Sequence, residues 1–197
     1  MKVYISPARP DASEIDNSCT YVFMAGGISK CWDWQDRCCE LIQEIAKDNE
    51  INTDRLIIFN PRRLSFDVSD KNASDEQITW EYDYLNLCDI FSMYFCESDS
   101  VQPICLYELG HYIPGIVSQY SNYRKALQHI VVTAESNYAR CYDVEKQLEL
   151  DLGPIGKRMI FDKSEYSEEA IRSHASRILI AYERDQIDMK IAGMNIV

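Results

Sequence analysis

The sequence predicts one α/β domain built around a parallel β-sheet of about five strands, with helices on both faces of the sheet. The first observation is that short apolar runs alternate with longer segments whose apolar residues recur at helical spacing. Such alternation is typical of strands joined by helical crossovers, which produce a parallel sheet buried on both faces. The second is that residues 1–197 contain no repeat, low-complexity segment or evident linker, so we expect a single domain with a sizeable core.

Five short runs have the length and composition of strands. The first, "YVFMAGG" at residues 21–27, ends in two glycines, and the second, "RLIIFNP" at residues 55–61, is stopped by Asn-Pro. The others are "DIFSMYF" at residues 89–95, "HIVVTA" at residues 129–134 and a shorter candidate, "RMIFD", at residues 158–162. Their largely apolar character is what a strand covered on both faces requires.

The segments between the strands show helical spacing, as in Leu41, Ile42 and Ile45, which share one face of the first segment. Ser74 or Asp75 is expected to cap the second helix. The third helix is expected to be interrupted near Pro114, because proline removes a backbone donor. The predicted helices cover residues 32–47, 76–88 and 106–120, a segment near 141–150, and a C-terminal segment at about 165–187.

Composition and charge narrow the functional classes. The formal net charge of −12 argues against binding along a nucleic-acid polymer, whose phosphates are neutralised by lysine and arginine, but leaves a small nucleotide open as a ligand. No apolar run reaches the length of a membrane span, so no membrane partner is expected.

The cysteines and the amino terminus bear on the cellular location. The polar sequence after the first residues gives no sign of a secretory signal, and the eight cysteines include no Cys-x-x-Cys pair. This pattern predicts a cytoplasmic protein with reduced thiols that pack as small apolar side chains.

Three polar segments are predicted to meet at one edge of the sheet. In parallel sheets ligands lie beyond the carboxyl ends of the strands, which here gathers Gly26–Lys30, Asn60–Arg63 and the loop before Glu108 around one crevice. The "AGGIS" loop can present backbone N–H groups to a ligand, although it matches neither a phosphate-binding loop nor a dinucleotide fingerprint, and a tight turn explains it equally well. In "NPRR" an arginine can clamp a phosphate or carboxylate, with an ordinary ion pair as the alternative.

Glu108 is the most unusual residue of the chain, because it lies in the apolar run "PICLYELGHY" of a predicted buried helix. A carboxylate in such a place needs a partner or a chemical role. Asp89 begins a strand 19 residues earlier, and two carboxylates in one crevice suit cleavage of a glycosidic bond. Pairs of acids are common, so a purely structural role stays open for both.

Other polar residues give weaker signals. His111 can share a helix face with Glu108, although a surface position explains it as well. Tyr138, Arg140 and Asp143 follow the fourth strand and can contact a ligand or a neighbouring subunit, with local ion pairing as the alternative. No His, Cys and Asp set has the spacing of metal ligands, and no metal or cofactor is predicted.

The ordered motifs "FMAGGIS…WDWQ", "NPRR", "QITWEYDYLNLCDI", "PICLYELG" and "YARCYDVEKQLEL" resemble the nucleoside 2-deoxyribosyltransferase-like family, which is related to the deoxynucleoside 5′-monophosphate N-glycosidases. They span about residues 21 to 150. The resemblance implies a flavodoxin-like (Rossmann-like) sheet and an enzyme that cleaves the N-glycosidic bond of a deoxynucleoside or its 5′-monophosphate. Its small-molecule partner would be that nucleoside or nucleotide.

The resemblance also implies residue roles. Glu108, in "YELG", would be the nucleophile, and Asp89 would protonate the leaving base or orient the sugar. The loop of Gly26, Gly27, Ile28 and Ser29 would hold the substrate. Lys30 and Arg62 are further candidates for a phosphate contact, and Gln102 would face the sugar.

Two departures from the family pattern keep alternatives open. The established transferases have an acidic residue six positions before the nucleophile, where this chain has Gln102. The strand "IFSMYF" also replaces a more aromatic, tryptophan-bearing strand. Deoxyribosyl transfer is therefore predicted alongside hydrolysis of 5′-monophosphates and a non-catalytic nucleotide-binding role. The transferases often complete their site across subunits, a feature that cannot be carried over to this chain; a homodimer or a higher homo-oligomer is still expected.

Overall fold

A computed structural model of the protein describes residues 1–65 and 69–193. Its strands are numbered in chain order: β1 Lys2–Ile5, β2 Thr20–Gly26, β3 Leu56–Asn60, β4 Ile90–Phe95, β5 Ile130–Glu135 and β6 Phe161–Ser164. The helices are α1 Trp34–Asp48, α2 Lys71–Leu87, α3 Pro103–Gln119, α4 Tyr123–Ala126, α5 Cys141–Ile160 and α6 Ser167–Ile191. Short 3₁₀ turns cover Ala12–Glu14 and Leu127–His129.

The strands form one parallel sheet in the order β1-β3-β2-β4-β5-β6, which confirms the predicted α/β class and its flavodoxin-like arrangement. Helices α1 and α6 cover one face, and α2, α3 and α5 cover the other. Side chains alternate between the faces along each strand. In β2, for example, Val22 and Met24 pack towards α1 and α6, whereas Phe23 and Ala25 face the side of α2 and α3.

The sheet has six strands where about five were predicted. The additional strand, β1, lies at one edge and pairs with β3. It is only four residues long, and Tyr4 is its one buried residue. The last predicted strand is displaced, since Arg158–Ile160 complete α5 and β6 begins at Phe161.

Two predictions about the helices are wrong in detail. Asp70, rather than Ser74 or Asp75, caps α2, and its side chain accepts a hydrogen bond from the Asn72 N–H at 2.9 Å. Helix α3 continues through Pro114, because the proline removes a single backbone bond while neighbouring residues such as Ile113 stay packed in the core.

The last two helices are longer than predicted. Helix α5 reaches Ile160 and bends at Gly153, whose φ of 72° is outside the helical range. Helix α6 spans Ser167–Ile191 and covers the predicted C-terminal helix. In the part of the chain that the structure describes, no helix is long and apolar enough to cross a membrane.

The prediction that every cysteine is a reduced thiol is wrong for one pair. Cys31 and Cys96 form a disulfide bond with a Cα–Cα distance of 6.4 Å. They are brought together because β2 and β4 are neighbours in the sheet and each cysteine follows the carboxyl end of one of them. The other six cysteines are free thiols, four of them buried.

Candidate active site

A cavity of about 300 Å³ lies beyond the carboxyl ends of β2 and β3, against α2 and α3. Its walls combine apolar side chains with two carboxyl groups, an amide and a guanidinium. The lining residues are Phe23, Ala25, Gly26, Ile28, Ser29, Pro61, Arg63, Gln77, Glu81, Ile104, Cys105 and Glu108. Strand ends, the glycine loop and the third helix therefore meet at one place, as the strand-end rule predicts.

Glu108 reaches this cavity from the second turn of α3. Ile104 and Cys105 line the same wall because residues three and four positions apart share a helix face. The side chain of Glu108 is buried, with 8% of its surface exposed. Burial, reinforced by the negative charge of Glu81, raises the pKa of the Glu108 carboxyl to about 8.

Glu81, on α2, is the second carboxyl group of the cavity and was not among the predicted site residues. Gln77, one turn earlier, donates from Nε2 to Glu81 Oε1 at 2.7 Å and to the Pro61 carbonyl at 2.8 Å. Burial raises the pKa of Glu81, while the Gln77 hydrogen bond and the charge of Arg63 oppose that rise. The signal was present in the sequence, because Gln77 and Glu81 lie four residues apart on the α2 face that also carries Trp80 and Tyr84.

Arg63, rather than the predicted Arg62, brings a guanidinium to the cavity wall. Its Nε donates to Gln77 Oε1 at 2.6 Å, and its Nη2 pairs with Glu76. Gln77 Oε1 also accepts a hydrogen bond from Ser6 Oγ at 2.7 Å. This network fixes Arg63, Gln77 and Glu81 in one orientation around the cavity.

Arg62 points away from the cavity and supports the glycine loop from behind. Its Nη2 donates to the Trp32 carbonyl at 2.8 Å and, more weakly, to the carbonyls of Gly27 and Cys31 at 3.4 Å. Its Nε donates to Gln35 Oε1 at 2.8 Å. The structure therefore gives Arg62 a supporting contact with the loop and not a place in the cavity wall.

Four loop residues and Gln102 were predicted to bind substrate. Gly26, Ile28 and Ser29 line the cavity, whereas Gly27 lies behind it. Gln102 is buried beside Gly27, where its Nε2 donates to the Cys96 carbonyl at 2.6 Å. Its Oε1 has no hydrogen-bond partner among the described residues.

Asp89 lies outside the cavity, because it precedes β4 and so sits at the amino edge of the sheet, whereas Glu108 lies beyond the carboxyl edge. Its Oδ2 accepts a hydrogen bond from the Tyr21 N–H at 2.8 Å. Burial raises the pKa of Asp89 to about 7, yet it lines a different cavity, together with His129 and Asp185. Glu81 occupies the place beside Glu108 that was predicted for Asp89.

The remaining candidates also lie elsewhere. His111 stacks on Tyr107 along α3, with 5.8 Å between the ring centroids. Arg140 and Asp143 form the local ion pair that was their alternative explanation, at 2.9 Å. Tyr138 donates its hydroxyl hydrogen to the Val101 carbonyl at 2.8 Å.

The cavity at Glu108 is smaller than a second one. A cavity of about 700 Å³ lies between α3 and α5, and half of the residues that line it are leucine, isoleucine or valine. Neither Glu108 nor Glu81 lines it. The smaller cavity is the better candidate site, because buried carboxyl groups with raised pKa values mark functional sites better than volume does.

Comparison with protein families gives one finding. The family described as nucleoside 2-deoxyribosyltransferase like matches residues 19–116, about half of the chain. The matched segment runs from just before β2 to within α3 and includes Glu81 and Glu108 as well as the glycine loop. A comparison with curated proteins gives no match.

Proposed function

We propose that this chain, which belongs to the nucleoside 2-deoxyribosyltransferase-like family through residues 19–116, cleaves the N-glycosidic bond of 2′-deoxynucleosides or deoxynucleotides and transfers the deoxyribose to another base. The observation that carries the proposal is that Glu108 and Glu81 share one small, largely apolar cavity beside the glycine loop. Two carboxyl groups in one cavity are the set that a glycosidic double displacement needs.

Glu108 acts as the nucleophile in this mechanism. Its carboxylate attacks C1′ of the sugar, an ester bond forms between Glu108 and C1′, and the bond from C1′ to the base nitrogen breaks. The departing base takes the bonding electrons together with a proton. A second base, or water, then attacks C1′ and releases Glu108, so that the configuration at C1′ is retained overall. Lack of the electron-withdrawing 2′-hydroxyl in deoxyribose makes the positive charge that develops at C1′ less costly.

Glu81 supplies the proton to the departing base. Two acids that repel each other lose their protons in separate steps, so the pair holds a single proton over an intermediate pH range. Positive charge developing at C1′ favours the ionised form of Glu108, which leaves the proton to Glu81. Gln77 orients the Glu81 carboxyl for this transfer through its 2.7 Å hydrogen bond.

The apolar part of the wall favours transfer over hydrolysis. Phe23, Ile28 and Ile104 line the cavity and exclude water from the ester at Glu108. An incoming base that stacks against these side chains then competes better for C1′ than water does.

Hydrolysis of a deoxynucleoside 5′-monophosphate is the second candidate, and one observation favours it. The Arg63 guanidinium lines the same cavity as Glu108, and a guanidinium is a good phosphate partner. Assembly into a homodimer or larger oligomer and a cytoplasmic location stay predictions.

The experiment that tests the proposal measures base release from deoxynucleosides and deoxynucleoside 5′-monophosphates, with and without a second free base. Wild type is compared with Glu108→Ala. We expect release from wild type, exchange when a second base is added, and no release from the variant. Release restricted to monophosphates, without exchange, would instead favour the hydrolase. A folded protein that binds nucleotides but releases no base would overturn the enzyme and leave a binding protein.

Replacing Glu81 by glutamine is expected to slow release in a way that depends on the leaving group. Loss of the acid lowers kcat for natural bases by about 10²- to 10³-fold. A deoxyriboside whose base leaves as a stable anion needs no proton, so its kcat falls by less than about tenfold. Asp83→Asn on the same helix is the matched control, because Asp83 pairs with Arg9 at the surface. Equal slowing of both substrates would contradict the role of Glu81 as the acid.

A further inference from the structure

The disulfide between Cys31 and Cys96 joins two segments at the carboxyl edge of the sheet. Cys31 belongs to the segment that follows β2 and is half-buried, whereas Cys96 directly follows β4 and is fully buried. The two residues are 65 positions apart in the chain. The bond is therefore a long-range covalent link between neighbouring loops.

Both ends of this link touch the walls of the candidate active site. On one side, the Cys31 sulfur packs against Gly27, next to Ile28 and Ser29 of the cavity wall. On the other side, the Cys96 carbonyl accepts the 2.6 Å hydrogen bond from Gln102. Gln102 immediately precedes α3, the helix that carries Glu108.

The loop after β2 has other contacts that do not depend on the disulfide. Arg62 donates to three loop carbonyls, and Trp34 Nε1 donates to the Gly27 carbonyl at 2.9 Å. Trp32 Nε1 donates to Glu135 Oε1 at 3.2 Å. These hydrogen bonds should keep the fold intact when the disulfide is reduced, while the backbone of the loop becomes more mobile.

We propose that Cys31 and Cys96 are a reversible redox modification site, which exchanges with small-molecule thiols and disulfides and sets how firmly the glycine loop is held. Cys31 is the less buried of the two residues, so its sulfur is the one that an incoming thiolate would attack. The effect on substrate affinity rests on the proposed function, whereas the exchange itself does not.

Reduction of the disulfide by small-molecule thiols takes two steps. A thiolate attacks Cys31 Sγ, a mixed disulfide forms there, and the Cys31–Cys96 bond breaks with its electron pair leaving on Cys96, which takes up a proton. A second thiolate attacks the small-molecule sulfur of the mixed disulfide, releasing a small-molecule disulfide and the Cys31 thiolate, which is then protonated. Two electrons pass from the two small-molecule thiols to the protein, and oxidation reverses both steps.

The disulfide form should bind substrate more tightly. A loop held by a covalent link loses less conformational freedom on binding than an unlinked one. Reduction is therefore expected to raise KM by roughly threefold to tenfold and to change kcat by less than about twofold, because Glu108 and Glu81 lie on helices outside the loop.

The experiment equilibrates the full chain with reduced and oxidised glutathione at set ratios. Alkylation and peptide mapping identify which cysteines are paired, and hydrogen exchange reports on the amides of residues 27–33. Affinity for a deoxynucleoside 5′-monophosphate is measured on the same samples. Cys31→Ala and Cys96→Ala remove the pair by two routes, and Cys19→Ala is the control, because Cys19 is a half-buried free thiol near the opposite edge.

The expected result is a Cys31–Cys96 peptide that appears and disappears with the glutathione ratio. Reduction of the disulfide should speed amide hydrogen exchange in residues 27–33 by about tenfold and lower the melting temperature of the protein by about 5 °C or more. Cys19→Ala should respond like wild type, and both pair variants should resemble the reduced protein.

Two results would overturn the proposal. If both thiols stay free at every glutathione ratio, there is no redox site. If amide hydrogen exchange in residues 27–33 does not change with the redox state, the disulfide does not control the loop. If the redox response is present but no nucleotide binds in either state, the proposed function fails while the redox site stands.

Discussion

Replacing Glu108 by glutamine is expected to remove base release and, at the same time, to make the folded protein more stable above pH 7. Glutamine keeps the size of the side chain but cannot form the ester with C1′, so kcat should fall by at least about 10³-fold. The same change removes a carboxyl group whose ionisation in the buried cavity is unfavourable.

The sign of the stability change follows from the pKa of Glu108, which is raised from an ordinary value of 4.5 to about 8. Between these two values the folded protein keeps a proton that the unfolded chain releases. Wild-type stability should therefore fall as the pH rises from 4.5 to 8, because unfolding releases a proton in this window. At pH 8 the variant should be more stable than wild type by on the order of 3 kcal/mol, and at pH 4.5 the advantage should disappear.

The measurement is denaturant unfolding of wild type and Glu108→Gln at pH 4.5, 6 and 8. Glu183→Gln serves as the matched control, because Glu183 is an exposed glutamate on α6. Its stability should follow that of wild type at each pH. A Glu108→Gln difference that does not grow with pH would show that Glu108 is ionised in the folded protein at low pH.

The place of Glu108 in the cavity could be predicted from the sequence, because the pattern that indicates it is local. An acid within an apolar helical run needs no knowledge of the rest of the fold, and the strand-end rule brings the glycine loop to it. The strand-end rule places Asp89 at the edge of the sheet opposite to Glu108, because Asp89 lies at the start of its strand and not at its end. The family resemblance outweighed that geometric information and assigned Asp89 to Glu108 as its partner, whereas the structure places Glu81 beside Glu108.

The remaining differences depend on which way side chains point. Arg62 and Arg63 are neighbours that diverge after β3, one towards the loop before α1 and the other towards α2. Their sequence, "NPRR", does not indicate which of them faces the ligand. Whether Glu81 faces the cavity depends on the phase of α2. Its position four residues after Gln77 favours the buried face, but the apolar Ile78 and Tyr82 at exposed positions obscure that phase.

Tertiary contacts decide the last two features. β1 has only Tyr4 fully buried, so its sequence carries little of the apolar signal that marks the inner strands, and pairing with β3 determines its structure. The Cys31–Cys96 pair spans 65 residues and is set by the neighbouring positions of β2 and β4. Neither feature has a local pattern from which it could be read.

Gly26→Ala is expected to be the most destabilising single-methyl change in the candidate site. Gly26 has a φ of 151°, a conformation that residues with a side chain rarely adopt. A Cβ placed there would overlap the Tyr94 carbonyl oxygen and lie 2.5 Å from the Trp34 ring. Both neighbours are fully buried, and their rings stack at 4.9 Å, so they have little room to move.

We expect Gly26→Ala to lower the free energy of unfolding by about 3 kcal/mol or more, since backbone strain and overpacking act together. Gly110→Ala is the matched control, because Gly110 lies on α3 with no atom within 4 Å of an added Cβ. That change should stabilise the protein by up to about 1 kcal/mol. Denaturant unfolding measures both variants, and a loss of unfolding free energy below about 1 kcal/mol for Gly26→Ala would contradict the tight packing of Tyr94 and Trp34 around Gly26.

A large loss would mean that the glycine at the end of β2 is required by the fold itself. Any contact with substrate would then come from the backbone of Gly26 and from Ile28 and Ser29.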